Sequence, residues 1–162
     1  MKLLRTVRFD MSDERVFERA AAPSEWAVSG AFEFAQLDAS ALTGKTRQAF
    51  ANGFLGATSL GRATFATVTD ASPAERTALE QTLARNFIEQ FGAPDIDAAL
   101  VVAREETAFI ADLVKDVLIN TVFTVRRFVD ARGELREEFR TIQAPLSQTP
   151  HAAIWSVVED DA

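Results

Sequence analysis

The segment INTVFTVRRFVDARGELREEFRTI, residues 119–142, constrains the fold more than any other part of the chain. Two runs rich in β-branched and aromatic residues flank Asp130-Ala131-Arg132-Gly133-Glu134. Gly133 supplies the left-handed backbone that a three-residue hairpin loop requires. With Ala131-Arg132-Gly133 as that loop, Asp130 faces Glu134 and the register follows. Arg126 falls opposite Glu138, Arg127 opposite Glu137, and Val125 opposite Phe139. Two opposite-charge pairs and one apolar pair align together, each worth up to about 1 kcal/mol. The spacing predicts an antiparallel sheet built out from this hairpin.

Leu3, Arg5, Val7 and Phe9 alternate with Leu4, Thr6 and Arg8, a strand period. DMSD reads as a turn, followed by a short strand through Val16 and Phe17. From Trp26 to Phe34 the alternation resumes, with Trp26, Val28, Phe32 and Phe34 on one face. A helix is expected from Asp38 or Ser40 to about Asn52, stopped by Gly53. GFLGATSLG reads as a glycine-rich connection and RATFATVTD as a strand. Ser72-Pro73-Ala74-Glu75 is a capping box with proline at the first helical position. The helix it opens carries Leu79, Leu83, Phe87 and Phe91 and ends at Gly92. A second helix is predicted from about Ile96 to Val117, although ALVVA within it also reads as a strand. AAIWSVV is the last expected strand. With no repeat, low-complexity tract or linker, residues 1–162 are expected to form one α+β domain. Its sheet is largely antiparallel, with about three helices packed on one face.

Composition narrows the function classes. A formal net charge of −7 lacks the basic footprint of nucleic-acid binding and discourages contact with anionic membranes. No apolar run approaches the ~18 residues of a membrane span. There is no cysteine and a single histidine, His151, so thiolate and multi-histidine metal sites are excluded. No metal or cofactor is expected, and a cytoplasmic location fits the missing cysteines.

Two short motifs invite chemistry and fail their context. LTGKTRQAF carries the Gly44-Lys45-Thr46 tail of a phosphate loop, but Ala39 stands where its first glycine belongs. Asp38 would also repel a phosphate. ATSLG, residues 57–61, resembles a nucleophile elbow at Ser59, with His151 downstream. An elbow needs a strand before it and a helix after it, and the predicted order here is the reverse.

Glu106 is the more informative residue. On a helix from Ile96 to Val117 it falls inside an apolar arc that includes Val102, Ala103, Phe109 and Ile110. No base on its own helix can neutralise it, and a buried carboxylate must pair, hydrogen-bond or take up a proton. Glu80 sits similarly on the preceding helix, with Arg76 at i−4. Glu80 lies twelve residues before Gly92 (92 − 80) and Glu106 twelve after Pro94 (106 − 94). A helical hairpin would place both roughly 18 Å from the turn, at one level. Facing carboxylates could share a proton or bind a cation. The expectation, however, is that each meets an arginine in a structural salt bridge, with Arg127 or Arg5, on the more apolar faces of their strands, as the partner of Glu106. Glu106, Glu80, Arg127 and Arg5 are therefore the candidate pocket residues.

KLLRTVRFD, ERAAAPSEWAVSGAFEF and GKTRQAFANGFLG together resemble a group of short bacterial proteins catalogued only as a domain of unknown function. The likeness covers most of the chain. It implies a bacterial cytoplasmic protein and carries no catalytic residues with it. The expectation is a non-enzymatic accessory or binding protein that self-associates, as a homodimer. The alternative is a small-molecule-binding domain or enzyme whose pocket includes Glu106.

Overall fold

A computed structural model describes residues 1–35 and 37–142. The expected strand AAIWSVV and His151 lie outside the described residues. The chain runs through β1 (Lys2–Val7), α1 (Ser12–Val16), β2 (Trp26–Val28), α2 (Gly44–Asn52), β3 (Phe54–Gly56), β4 (Arg62–Ala63) and β5 (Phe65–Asp70). It continues as α3 (Pro73–Phe91), α4 (Ile96–Val114), β6 (Val122–Val129) and β7 (Leu135–Ile142). All neighbouring strands pair antiparallel, in the order β4-β3-β2-β1-β5-β6-β7. This is the expected α+β architecture.

The strand order has a geometric consequence. β4 and β5 are separated in sequence by Thr64 alone, yet three strands lie between them in the sheet. In a flat sheet they would stand roughly 19 Å apart. One intervening residue spans at most ~7 Å. The first five strands therefore roll round until β4 and β5 meet at a corner, as in orthogonally packed sheets. The corner residue is satisfied from outside the ladder. Thr64 donates its hydroxyl to the buried carboxylate of Asp13 at 2.7 Å, and its amide points at the same group at 3.4 Å.

The β6–β7 hairpin has the register its sequence predicts, with Val125 opposite Phe139, Arg126 opposite Glu138 and Arg127 opposite Glu137. Gly133 closes the loop at φ +81°. The capping box is complete: Ser72 Oγ accepts from the Glu75 amide at 3.1 Å, and Glu75 Oε1 from the Ser72 amide at 2.9 Å. Gly92 ends α3 at φ +75°, and α4 returns along it. ALVVA is helical. α4 lies on β1 and β2, and α2 on β6.

Several local expectations change. The alternation from Trp26 to Phe34 is a strand only to Val28, because Gly30 turns the chain at φ +74° into a 3-10 turn, Ala31–Phe34. A Cβ on Gly30 would meet Leu55 Cβ at 2.5 Å and Arg62 Nη1 at 2.7 Å, so only glycine permits this approach. The DMSD turn opens α1, and no strand runs through Val16 and Phe17. α2 starts at Gly44, because Asp38 spends its carboxylate on the Ser40 amide and hydroxyl around a separate turn, Ala39–Ala41. GFLGATSLG is a hairpin arm rather than a plain connection, since it contains β3. α4 ends at Val114.

Burial alternates along β5 and β6, whereas successive residues of β2, β3 and β4 are buried together. Neighbours in a strand face opposite ways, so these three short strands are covered on both faces. Leu4, Val28, Phe54, Leu55, Val68, Leu83, Ala103, Ile110 and Val114 are fully enclosed in the one core cluster.

Candidate functional site

Arg127 enters the protein from the inner face of β6 and is almost completely buried. Its Nε donates to Glu137 Oε2 at 2.7 Å, the cross-strand partner expected from the register. Its Nη1 donates to the carbonyls of Phe50 and Gly53, both at 2.9 Å, and Nη2 to the carbonyl of Ser29. The last carbonyls of a helix have no partner within it and carry its negative dipole end. Arg127 thus caps α2 from a strand that lies far away in sequence.

A second arginine, Arg62, meets the same carbonyls from β4. Nη1 donates to Gly53 O at 3.1 Å and Ser29 O at 3.4 Å. Nη2 donates to Gly30 O at 3.0 Å and to Glu33 Oε1 at 2.6 Å. The Phe34 ring lies 4.7 Å from its guanidinium carbon. Burial, with repulsion from Arg127, lowers the Arg62 pKa to about 10, while Glu33 opposes the shift. Burial likewise lowers that of Arg127, against the pull of Glu137. Two like charges persist in the interior because Glu33 and Glu137 offset them and backbone carbonyls saturate their donors.

Glu106 faces this cluster from α4 and is half-buried. Its Oε1 is shielded from solvent without a hydrogen-bond partner, and no ion pair reaches it among the described residues. Burial raises its pKa, with Glu137 adding to the rise, against the Gly30 amide and the Arg127 charge. The arginine partner expected for Glu106 is thus absent at contact range, because Arg127 is spent on Glu137 and on carbonyls.

The four candidate residues do not form one pocket. Arg5 lies over the Trp26 ring at 3.6 Å, donates to Ser24 O at 2.7 Å and sits 3.7 Å from Glu75. Glu80 accepts from Arg76 at 3.0 Å and from the Thr107 hydroxyl at 2.5 Å. The helical hairpin therefore brings position 80 opposite Thr107, one residue beyond the expected Glu106. One residue is 100° of helix, which turns Glu106 away toward Gly30 and the arginines.

Beside the cluster a cleft of about 540 Å³ is lined by Arg62, Glu33, Phe34, Lys45, Phe91 and their neighbours, without Glu106. Lys45 stands on the first turn of α2, so the rejected phosphate-loop residues do line a cleft. Ser59 has a structural role: its hydroxyl and amide both donate to Glu25, at 2.6 and 2.8 Å. Among the described residues no group of three or more metal-binding side chains converges, and no helix is long and apolar enough to cross a membrane.

The sequence matches the model of a family of unknown function, DUF6505, over residues 1–160. The chain belongs to that family. No curated protein and no solved structure matches it. The family assigns no residue roles, so those of this DUF6505 member rest on geometry alone. Sequence reasoning missed Arg62 and Glu33. Two signals were present: an arginine next to Gly61 at the start of a strand, and a glutamate within the aromatic run AFEF.

Proposed function

We propose that the protein is a non-enzymatic accessory or binding protein of the bacterial cytoplasm, and that it works as a homodimer. The observation that carries this is the mismatch between the apolar arc of α4 and the surface that covers it. Ala99, Ala103, Thr107, Ile110 and Val114 are buried, whereas Val102 and Phe109 remain 39% and 45% exposed. Phe109 is continuous with the interior through Phe139, 5.6 Å away between ring centres, which in turn faces Phe54. Exposed apolar side chains that adjoin an aromatic path into the core mark a candidate interaction site. A second copy of the chain is the occupant we assign, since closed twofold pairs are the commonest assembly.

Light scattering across the micromolar range tests this. The expected result is a dimer that Phe109→Asp converts to monomer. A wild-type monomer throughout that range would remove the reading.

A second reading is a small-molecule-binding domain or enzyme with Glu106 in its pocket. The orphaned Oε1 of Glu106 favours it. Its test is a ligand screen in which hits lose affinity on Glu106→Gln.

A further inference from the structure

We propose that the cleft over Arg62 binds a small apolar monocarboxylate, which enters by displacing Glu33 from the Arg62 guanidinium. This site is separate from the α4 surface and stands independently of self-association.

Three features carry the inference. The first is preorganisation. The Ser29, Gly30 and Gly53 carbonyls hold Arg62, and Phe34 lies against its guanidinium. The arginine is 4% exposed, yet it lines the cleft. A guanidinium fixed in this way offers a carboxylate one preoriented contact, the Nη2 donor that Glu33 now holds, with little further ordering cost. The second is that its one charged partner is expendable. The Glu33 side chain is 39% exposed against 5% for Arg62, and it contributes only Oε1, at 2.6 Å. A carboxylate from solution can make the same contact while Glu33 swings into water. The chain thus carries an internal copy of the ligand group.

The third feature is the balance of charge and apolar surface. Arg19, Lys45 and Arg62 line the cleft against Glu18 and Glu33, three cations to two carboxylates, a net charge of +1. That matches one negative charge. A polyphosphate would bring several charges toward two acidic side chains. Phe34, Leu60 and Phe91 supply apolar wall. A volume of about 540 Å³ is in the usual range for small-molecule sites.

Calorimetric titration of the full chain with benzoate, with benzamide as the neutral isostere and ADP as the polyanion, tests the proposal. Benzoate should bind saturably and benzamide should not. Glu33→Gln removes the internal competitor and should tighten benzoate roughly tenfold, the size of one charge-assisted contact at a partly exposed position. Lys45→Glu, at an exposed position that leaves the fold intact, should weaken it by a similar factor. Circular dichroism establishes that both variants are folded. The proposal is overturned by any of four results: no saturable benzoate binding, equal binding of benzamide, tighter binding of ADP, or benzoate affinity that neither variant moves.

Discussion

Arg62 and Arg127 donate to the same acceptor, the carbonyl of Gly53, at 3.1 and 2.9 Å. They reach it from β4, at one end of the sheet order, and β6, next to the other end. The shared carbonyl lies just beyond the last residue of α2. One polar node therefore ties the rolled part of the sheet, the hairpin and a helix C-terminus together. Its worth depends on every donor being used, because a buried unpaired charge or carbonyl is costly.

Arg127→Met should accordingly destabilise the protein by about 3–5 kcal/mol, since it leaves Glu137 with the Ser29 hydroxyl but no cation and leaves the Phe50 carbonyl without this donor. Arg127→Lys should recover only part of this, because an ammonium cannot span Glu137 and the carbonyls together. Urea denaturation at neutral pH measures both. A loss below 1 kcal/mol for the methionine variant would mean that the node is not structural.

Glu106→Gln should be neutral or stabilising at pH 7, by up to about 1 kcal/mol, a modest figure because the group is only half-buried. Burial raises the folded pKa above the ordinary value of 4.5. The stability linked to that proton is complete below 4.5 and is lost as pH rises through the folded value. The advantage of glutamine should therefore shrink as pH falls toward 4.5. Denaturation curves at several pH values follow it. A loss of 2 kcal/mol or more at pH 7 would reveal a cation at Glu106.

Gly133→Val should cost roughly 1 kcal/mol or more, through backbone strain alone. Nothing lies within 4 Å of a Cβ built there, so sterics against neighbours play no part, while φ is +81°. Gly133→Asn should cost clearly less, because asparagine tolerates the left-handed region. Thermal melts of the two variants separate strain from crowding. Equal losses would contradict the strain account.

Phe109→Asp should abolish self-association while leaving the monomer folded, because the ring is 45% exposed. Sedimentation equilibrium reads the mass and circular dichroism the fold. An unchanged dimer would place the interface elsewhere on the surface.

The sequence by itself determined the parts whose physics is local. The hairpin register followed from one loop glycine and the charges that its spacing aligned. The α3 start followed from Ser72, Pro73 and Glu75, whose hydrogen bonds close within three residues. The amphipathic phase of α4 placed Glu106 on the side facing the protein. Tertiary structure alone decided three other matters. It rolled the sheet at Thr64, which depends on a buried aspartate 51 positions away. It joined Arg62 to Glu33 across 29 positions and Arg127 to Ser29 across 98. It also chose which half of the α4 arc to cover. Periodicity fixes the angle of a side chain on its own element and leaves open which distant element will meet it. That meeting decided whether Glu106 received an arginine, and both buried arginines went to backbone carbonyls and other glutamates, because carbonyls at a helix end and around a left-handed turn still had acceptor capacity to fill.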